Sequence, residues 1–241
     1  MGICRICGND RQLTREHILP QAVGNSGRIC VHNLYSLSKG WSRGEILQAG
    51  LTRSTLCPEC NSKAGRNYVP AFARWTLQAW EYHGRVPEGS RVALPFTFSA
   101  LRVAKQLAVM TLAMSEIPSL DLPHFFHLRR LVTRLRQHAR VPRFRFFTYF
   151  HVGAPVCEST FAAIDTSGGP SPMIFCQVGL EPLGYLVTSD DNSSIAWARH
   201  LNLCDVSHFF EFALDVLRSD HLVIPHLRGE MPFRPIRRSG S

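Results

Sequence analysis

Two short cysteine motifs decide the fold of the N-terminal segment: Cys-Arg-Ile-Cys at residues 4–7 and Cys-Pro-Glu-Cys at residues 57–60. The two-residue spacing within each motif lets one tight turn direct two thiolates at the same ion. In a reducing compartment, paired motifs of this kind indicate a metal site rather than disulfides. Four thiolates complete a tetrahedral site with no position left for water, so the predicted ion is a structural Zn²⁺. Its ligands would be Cys4, Cys7, Cys57 and Cys60.

The segment between the motifs predicts two strands joined by a turn. Residues 13–20, Leu-Thr-Arg-Glu-His-Ile-Leu-Pro, favour a short strand that the proline ends. Residues 24–27, Gly-Asn-Ser-Gly, favour a turn, and residues 28–37 favour a second strand that forms a hairpin with the first. Since adjacent strand residues point to opposite faces, Glu16 and His17 can share one site only at a bend or at a strand end.

The residues after this hairpin predict a loop and a helix. Residues 38–55 contain three glycines and predict an inserted loop. Residues 61–80 predict a helix that starts at the second cysteine motif and breaks near Pro70. A hairpin followed by a helix, with Zn²⁺ holding the ends together, is a ββα finger. We assign this finger and the following helix to residues 1–83.

The order of the motifs resembles that of HNH endonucleases of the His-Me finger superfamily. The resemblance covers residues 4–67 and rests on CxxC, then Glu-His-Ile-x-Pro, then Asn-Leu, then Leu-Cys-x-x-Cys-Asn-x-Lys-x-Gly. It implies a ββα-metal nuclease that hydrolyses phosphodiester bonds with a catalytic Mg²⁺ or Mn²⁺ in addition to the structural zinc. A neutral imidazole that takes a proton from water, and oxygen ligands that leave positions open on the cation, agree with this chemistry.

The resemblance implies a role for four residues. His17 matches the general base, and Asn33 matches the middle asparagine, which holds the hairpin and orients that histidine. Glu16 and Asn61 match the two ligands of the catalytic cation. Many relatives carry aspartate at the position of Glu16. The family has histidine or asparagine at the position of Asn61, and an amide oxygen there favours Mg²⁺ or Mn²⁺ over a softer metal.

Simpler interpretations of the same residues stay open from the sequence. His17 could be a structural histidine beside a cysteine motif, and Asn61 could serve only as the N-cap of the following helix. Cys30 lies inside the finger without a CxxC partner, and it could serve as a further metal ligand.

The second part of the chain, residues 91–231, predicts an α+β domain, and residues 232–241 predict a loose basic tail. Its predicted helices are residues 101–114, 125–140 and 206–217. Its predicted strands are residues 92–98, 144–152, 159–166, 173–179 and 183–188, of which the last four favour an antiparallel meander. The whole chain is therefore expected to be an α+β protein in which the zinc finger precedes a domain of unknown role.

The charge of the chain permits a polyanionic partner. The formal net charge is +9, from 27 lysines and arginines against 18 acidic residues. Nucleic acid is the first candidate, with DNA ahead of RNA. The helix predicted at residues 125–140 carries arginines opposite an apolar stripe, which fits either a phosphate-contacting surface or an ordinary solvated face. The predicted nucleic-acid contacts are Arg129, Arg130, Arg134, Arg136, Lys63 and Arg66.

Two classes of function remain in competition. The leading hypothesis is an endonuclease, which by analogy with small HNH proteins could act in phage defence, restriction or a mobile element. A homodimer and a partner protein or trigger are compatible with it. The alternative is a non-catalytic zinc module that binds nucleic acid or protein, which has no need for the four residues of the resemblance together. No apolar run is long enough to span a membrane and no signal-peptide layout is present, so a cytoplasmic protein is expected.

Overall fold

Helices and short, mostly antiparallel sheets are mixed along the chain, which is compatible with the expected α+β class. The computed structural model describes residues 1–33, 45–83, 91–115, 123–134, 144–150, 156–164, 173–189, 210–211 and 221–227. The strands are β1 (Gly2–Ile3), β2 (Asp10–Arg11), β3 (Thr14–His17), β4 (Ile29–Asn33), β5 (Glu45–Leu47), β6 (Thr52–Leu56), β7 (Arg91–Thr97), β8 (Phe144–Phe150), β9 (Val156–Ile164), β10 (Met173–Leu180), β11 (Leu183–Ser189), β12 (Phe210–Glu211) and β13 (His221–Leu227). The α-helices are α1 (Pro58–Asn67), α2 (Val69–His83), α3 (Ala100–Met114) and α4 (Pro123–Thr133), and a 3₁₀ turn covers Gln21–Val23.

The finger is built on a strand pair that differs from the predicted one. β3 pairs antiparallel with β6, with Glu16 opposite Arg53. The predicted hairpin between residues 13–20 and 28–37 is therefore wrong, and β6 takes up part of the loop predicted at residues 38–55. Strands that are neighbours in sequence usually pair, but here β4 pairs elsewhere and leaves β6 as the partner of β3. Because β6 leads directly into α1, the ββα order is β3, β6 and α1.

β4 and β5 join a seven-stranded sheet with strands from the second part of the chain. The strand order is β12-β8-β11-β10-β9-β4-β5. β4 lies parallel to β9 and antiparallel to β5. β9, β10 and β11 form an antiparallel meander as expected, but β8 lies beside β11 instead of β9, because β4 occupies the free edge of β9. Residues 1–83 and 91–231 thus contribute strands to one sheet.

The helix predicted at residues 206–217 is wrong where the structure describes it. Phe210–Glu211 is β12, which pairs antiparallel with β8. Apolar side chains recur there at helical spacing, but a short run rich in aromatic residues also suits a strand, and the open edge of β8 provides a partner. β13, which pairs with β7, was not predicted. Residues 232–241 lie outside the described residues.

The other predicted elements are close to the observed ones. The predicted strand 92–98 is β7, the predicted helix 101–114 is α3, and the predicted helix 125–140 begins as α4 and ends at Thr133 within the described residues. The predicted break near Pro70 is confirmed, because α1 ends at Asn67 and α2 begins at Val69.

Trp75 of α2 lies at the centre of the hydrophobic core. It is fully buried and stacks on Phe98 with a centroid distance of 5.1 Å. Its ring also lies 5.6 Å from that of Tyr185 on β11 and 6.4 Å from that of Phe96 on β7. Because buried side chains of the finger and of the later elements belong to one cluster, α2 packs the finger against the rest of the chain. In the described part of the chain, no helix has the length and apolarity needed to cross a membrane.

Candidate active site and metal cluster

The four predicted zinc ligands lie together. The Sγ atoms of Cys4, Cys7, Cys57 and Cys60 are all within 4.8 Å of one another. Around a single Zn²⁺ with bonds of about 2.3 Å, four sulfur atoms would be about 3.8 Å apart, so a slight contraction completes a tetrahedral site. The four cysteines can therefore hold a metal ion such as zinc. Cys30, on β4, does not belong to the cluster that the described residues form.

Backbone hydrogen bonds fix the first cysteine motif to the finger. The amide of Cys4 donates to the carbonyl of Asn9 at 2.9 Å, and the amide of Gly8 donates to the carbonyl of Cys4 at 2.8 Å, which closes the turn. The amide of Arg5 donates to the carbonyl of Thr55 on β6 at 2.9 Å. The turn is therefore attached to the strand that leads into the second motif, and this attachment brings the two pairs of thiols together.

The cluster is suited to binding a metal through thiolates. The backbone amide of Cys57 donates to Cys4 Sγ at 3.3 Å. A hydrogen bond from the Cys60 thiol, helped by this amide and opposed by burial, lowers the pKa of Cys4 to about 4. The same contact with Cys4 raises the pKa of Cys60. Since the thiolate is the form that binds metal, the cluster favours the charged state at one ligand before any ion is present.

Arg129 of α4, one of the predicted nucleic-acid contacts, packs against the first cysteine motif. Its Nε donates to the carbonyl of Arg5 at 2.8 Å. Its Nη1 lies 3.4 Å from the position that a Cβ on Gly8 would take. Burial lowers the pKa of this guanidinium, and the nearby Cys4 and Cys7 oppose the shift. Arg129 thus fastens α4 to the cysteine cluster, and its contact with nucleic acid stays a prediction.

Glu16, His17 and Asn61 line one cavity with a volume of about 330 Å³. Two of them come from β3 and the third from α1, while α3 supplies a further wall. The convergence of Glu16 and His17 required a bend or a strand end, and both are present. The register between β3 and β6 shifts between Thr14 and Glu16, and His17 is the last residue of β3. A bulge of this kind re-aims side chains and is common beside functional sites.

The two carboxylate oxygens of Glu16 differ in their hydrogen bonding. Its Oε1 accepts from the backbone amide of Thr55 at 2.9 Å and from the Thr55 hydroxyl. Its Oε2 is buried and has no hydrogen-bond partner among the described residues. Burial raises the pKa of Glu16, although both Thr55 contacts oppose this. An unpaired buried carboxylate oxygen is costly. A hard divalent cation would satisfy such an oxygen, so this residue fits the metal that the resemblance implies.

His17 is a half-buried imidazole whose environment favours the neutral form. Burial lowers its pKa below the ordinary value of 6.5, and the charge of Arg15 lowers the pKa further. The contact with the Asn25 backbone acts in the opposite direction and raises the pKa. Its Nδ1 is buried without a hydrogen-bond partner in the part of the chain that the structure describes. The ring is therefore neutral at neutral pH and able to accept a proton.

Asn61 lies inside α1 and does not cap it. The N-cap residue of α1 is Cys57, so the N-cap interpretation of Asn61 is wrong. Its Nδ2 donates to Thr14 Oγ1 at 3.3 Å. This bond uses the donor end of the amide, and the residue as a whole lines the cavity. Asn61 therefore fits a second oxygen ligand for a hard cation.

Asn25 joins the segment that follows β3 to the segment that precedes β6. It is fully buried, and its Nδ2 donates to the carbonyl of Leu19 at 2.6 Å and to that of Leu51 at 3.0 Å. Its Oδ1 accepts from the amide of Leu51 at 2.7 Å. The resemblance gave this holding role to Asn33. The backbone of Asn33 ends β4, which pairs with β9, and its side chain lies outside the described residues.

Gly50 makes room for Asn25, and this predicts a pair of opposite effects. A Cβ on Gly50 would lie 2.6 Å from the Asn25 carbonyl oxygen, and the backbone there has φ of 76°. We expect Gly50→Ala to destabilise the protein by at least about 2 kcal/mol in chemical denaturation. Gly65→Ala is the matched control, because a Cβ there meets nothing within 4 Å. It should stabilise α1 by up to about 1 kcal/mol. Equal effects at both sites would contradict the Asn25 contact.

The predicted phosphate contacts are only partly placed. Lys63, Arg66, Arg130 and Arg134 are exposed, and Arg136 lies outside the described residues. Arg15, which was not predicted, also lines the cavity, and its Nε donates to Thr52 Oγ1 at 3.0 Å. A signal was available, because residues two apart on a strand share a face and Arg15 precedes His17 by two positions.

Comparisons of the chain with protein-family models, with curated proteins and with solved structures found no match. The resemblance to HNH endonucleases therefore rests on the residues of this chain alone.

Proposed function

We propose that this protein is a metal-dependent endonuclease of the HNH type that hydrolyses phosphodiester bonds in DNA. The observation that carries the proposal is the convergence of Glu16, His17 and Asn61 on one cavity. A buried carboxylate oxygen without a partner, a neutral imidazole and an amide oxygen are the groups that metal-assisted hydrolysis requires. A module that only binds nucleic acid has no need to place them together.

In the proposed mechanism, the imidazole of His17 takes a proton from a water molecule as that water attacks the phosphorus atom. Glu16 Oε2 and Asn61 Oδ1 would hold Mg²⁺ or Mn²⁺, which stabilises the charge that develops on the phosphate and on the leaving oxygen. Arg15 lines the same cavity and would bind a phosphate oxygen. Asn25 keeps the end of β3 fixed, so that His17 holds one position relative to Glu16.

The cysteine cluster has a separate role in this proposal. Four thiolates would occupy all positions on a Zn²⁺, which leaves none for water or substrate. The ion would therefore be structural, joining the first turn of the chain to the start of α1. The clustering of the four sulfur atoms supports this role.

Basic side chains elsewhere in the sequence would bind the substrate backbone. We assign this role to Lys63, Arg66, Arg130, Arg134 and Arg136, and the net charge of +9 favours it. One finger cuts one strand, so a double-strand break would require two copies of the chain. Sedimentation of the protein on duplex DNA tests this requirement, and a monomer that makes double-strand breaks would contradict it.

Conversion of supercoiled plasmid tests the proposed function. Zinc-replete protein should nick the plasmid when Mg²⁺ or Mn²⁺ is added and should leave it intact without either ion. Single-stranded and structured RNA tested in parallel decide between the two nucleic acids. The alternative function, a zinc module that only binds, predicts retarded but intact plasmid under every condition, and that result would replace the nuclease proposal.

A further inference from the structure

The cavity that holds Glu16, His17 and Asn61 continues along α3, where its chemistry changes. Gln106, Val109, Met110 and Ala113 line it at helical spacing, and Gly65 and Val69 also line it. Apart from Gln106 these residues offer no polar side chain. The amide of Gln106 is thus the one polar side chain that the described part of α3 contributes to the cavity.

Gln106 is buried in a way that a structural role does not explain. Its side chain is 4% exposed, and its Oε1 is buried with no hydrogen-bond partner among the described residues. An unsatisfied buried amide costs about 1–3 kcal/mol, so a purely structural position would favour an apolar residue. Thr111 on the same helix shows the usual arrangement, since it is buried and its Oγ1 donates to the carbonyl of Leu107 at 2.9 Å.

Gln106 is displaced along α3 from the end of the helix that lies beside Thr55 and Glu16. The hydroxyl of Thr55, which contacts Glu16, lies 3.1 Å from the carbonyl oxygen of Ala113. Gln106 precedes Ala113 by seven residues, which corresponds to about 10 Å along an α-helix. The amide therefore lines the cavity about two helical turns from the Thr55 end of α3, and a substrate that contacts both must extend along the helix.

The chemistry of this part of the cavity suits a nucleobase. Val69, Val109 and Met110 offer apolar surface for the face of a planar ring, and no lysine or arginine lines the cavity along α3. The amide of a glutamine pairs with the donor and acceptor atoms on a base edge. Gly65 adds space, because a Cβ there would meet nothing within 4 Å. A phosphate group would instead require a cation.

We propose that the α3 side of the cavity is a nucleobase subsite, in which the amide of Gln106 binds the edge of a base next to the phosphate that is cut. The inference rests on the proposed function for its placement beside a scissile phosphate. It makes Gln106, a residue of α3 outside the finger, a determinant of base preference.

Binding of single nucleotides tests the subsite without cleavage. The four deoxynucleoside 5′-monophosphates are titrated at millimolar concentration into zinc-replete protein without added Mg²⁺ or Mn²⁺, and binding is measured as a thermal shift and by calorimetry. At least one nucleotide should bind the wild type. Gln106→Met keeps the shape of the side chain and should raise its dissociation constant about tenfold or more. Gln106→Asn keeps the amide but shortens its reach, and it should also weaken binding.

Thr111→Val is the matched control, a buried polar residue of α3 that does not line the cavity. It should bind the nucleotide like the wild type. Without ligand, Gln106→Met should unfold at the same temperature as the wild type or higher, since it removes an unsatisfied amide. A wild type that binds no nucleotide, or a Gln106→Met variant that binds equally well, would overturn the subsite.

Together with the plasmid assay, the nucleotide titration distinguishes a failure of the subsite from a failure of the proposed nuclease function. If the wild type nicks plasmid but no variant changes nucleotide binding, the subsite is wrong and the nuclease stands. If the nucleotide binds through Gln106 but plasmid stays intact, the base-binding subsite stands and the nuclease proposal falls.

Discussion

Replacing His17 with alanine is expected to lower the rate of plasmid nicking by about 10²–10⁴-fold, the usual contribution of a general base. Plasmid binding should change little, because the imidazole acts on water rather than on the nucleic-acid backbone. The measurement compares cleavage rates at saturating Mg²⁺ or Mn²⁺ with binding measured in the absence of either ion. The loss should appear in kcat, since the interaction is made only as the proton moves.

His127→Ala is the matched control for this variant. His127 is a half-buried histidine of α4 that does not line the cavity. Its substitution should leave nicking within about twofold of the wild type, because the side chain does not line the cavity where the proposed reaction takes place. If His17→Ala cuts as fast as the wild type, either the activity comes from a contaminant or the base lies elsewhere. In both cases the proposed mechanism would be rejected.

Removal of the structural ion is expected to unfold the N-terminal segment. The purified protein should contain one zinc per chain by elemental analysis. Cys60→Ser, or extraction of zinc with a chelator, should lower the melting temperature sharply, because apparent zinc-binding free energies of about 10–16 kcal/mol are available to fold such sites. Added Zn²⁺ should restore the melting temperature of the chelated wild type, and added Mg²⁺ should not.

Cys30→Ser controls for the loss of a thiol as such. Cys30 is half-buried on β4 and lies outside the cysteine cluster. This variant should keep one zinc per chain and a melting temperature close to that of the wild type. If the protein purifies without zinc, or if its melting temperature does not respond to chelation, the finger is not stabilised by a metal ion and the proposed zinc site is wrong.

Local sequence signals were enough to predict several residues that the structure brings together. The two cysteine motifs are spaced as metal ligands, and the structure brings their four sulfur atoms together. Glu16, His17 and Asn61 stand next to a strand end or a helix start, where neighbouring residues fix their positions, and all three line one cavity. The spacing within each motif is short-range and matches the geometry of metal ligands, so it could be recognised without knowledge of the whole fold.

The errors came from pairing over long distances in the chain. β4 is a plausible partner for β3 by sequence, yet it lies against β9, which follows more than 120 residues later. Asn25 was interpreted only as a turn residue, since its contact with Leu51 spans 26 positions. Strand pairs and side-chain hydrogen bonds between residues so far apart in the sequence depend on the whole fold. The periodicity of the sequence does not predict them. Gln106, by contrast, can be recognised in the sequence as a polar residue within an apolar helix.

Anomalous diffraction from crystals grown with Zn²⁺ and Mn²⁺ tests the central claim most directly. Data collected at the two absorption edges distinguish the ions and locate each one. The account predicts zinc between the sulfur atoms of Cys4, Cys7, Cys57 and Cys60, and manganese in the cavity beside the side-chain oxygens of Glu16 and Asn61. No manganese in that cavity, or zinc bound to His17, would contradict it.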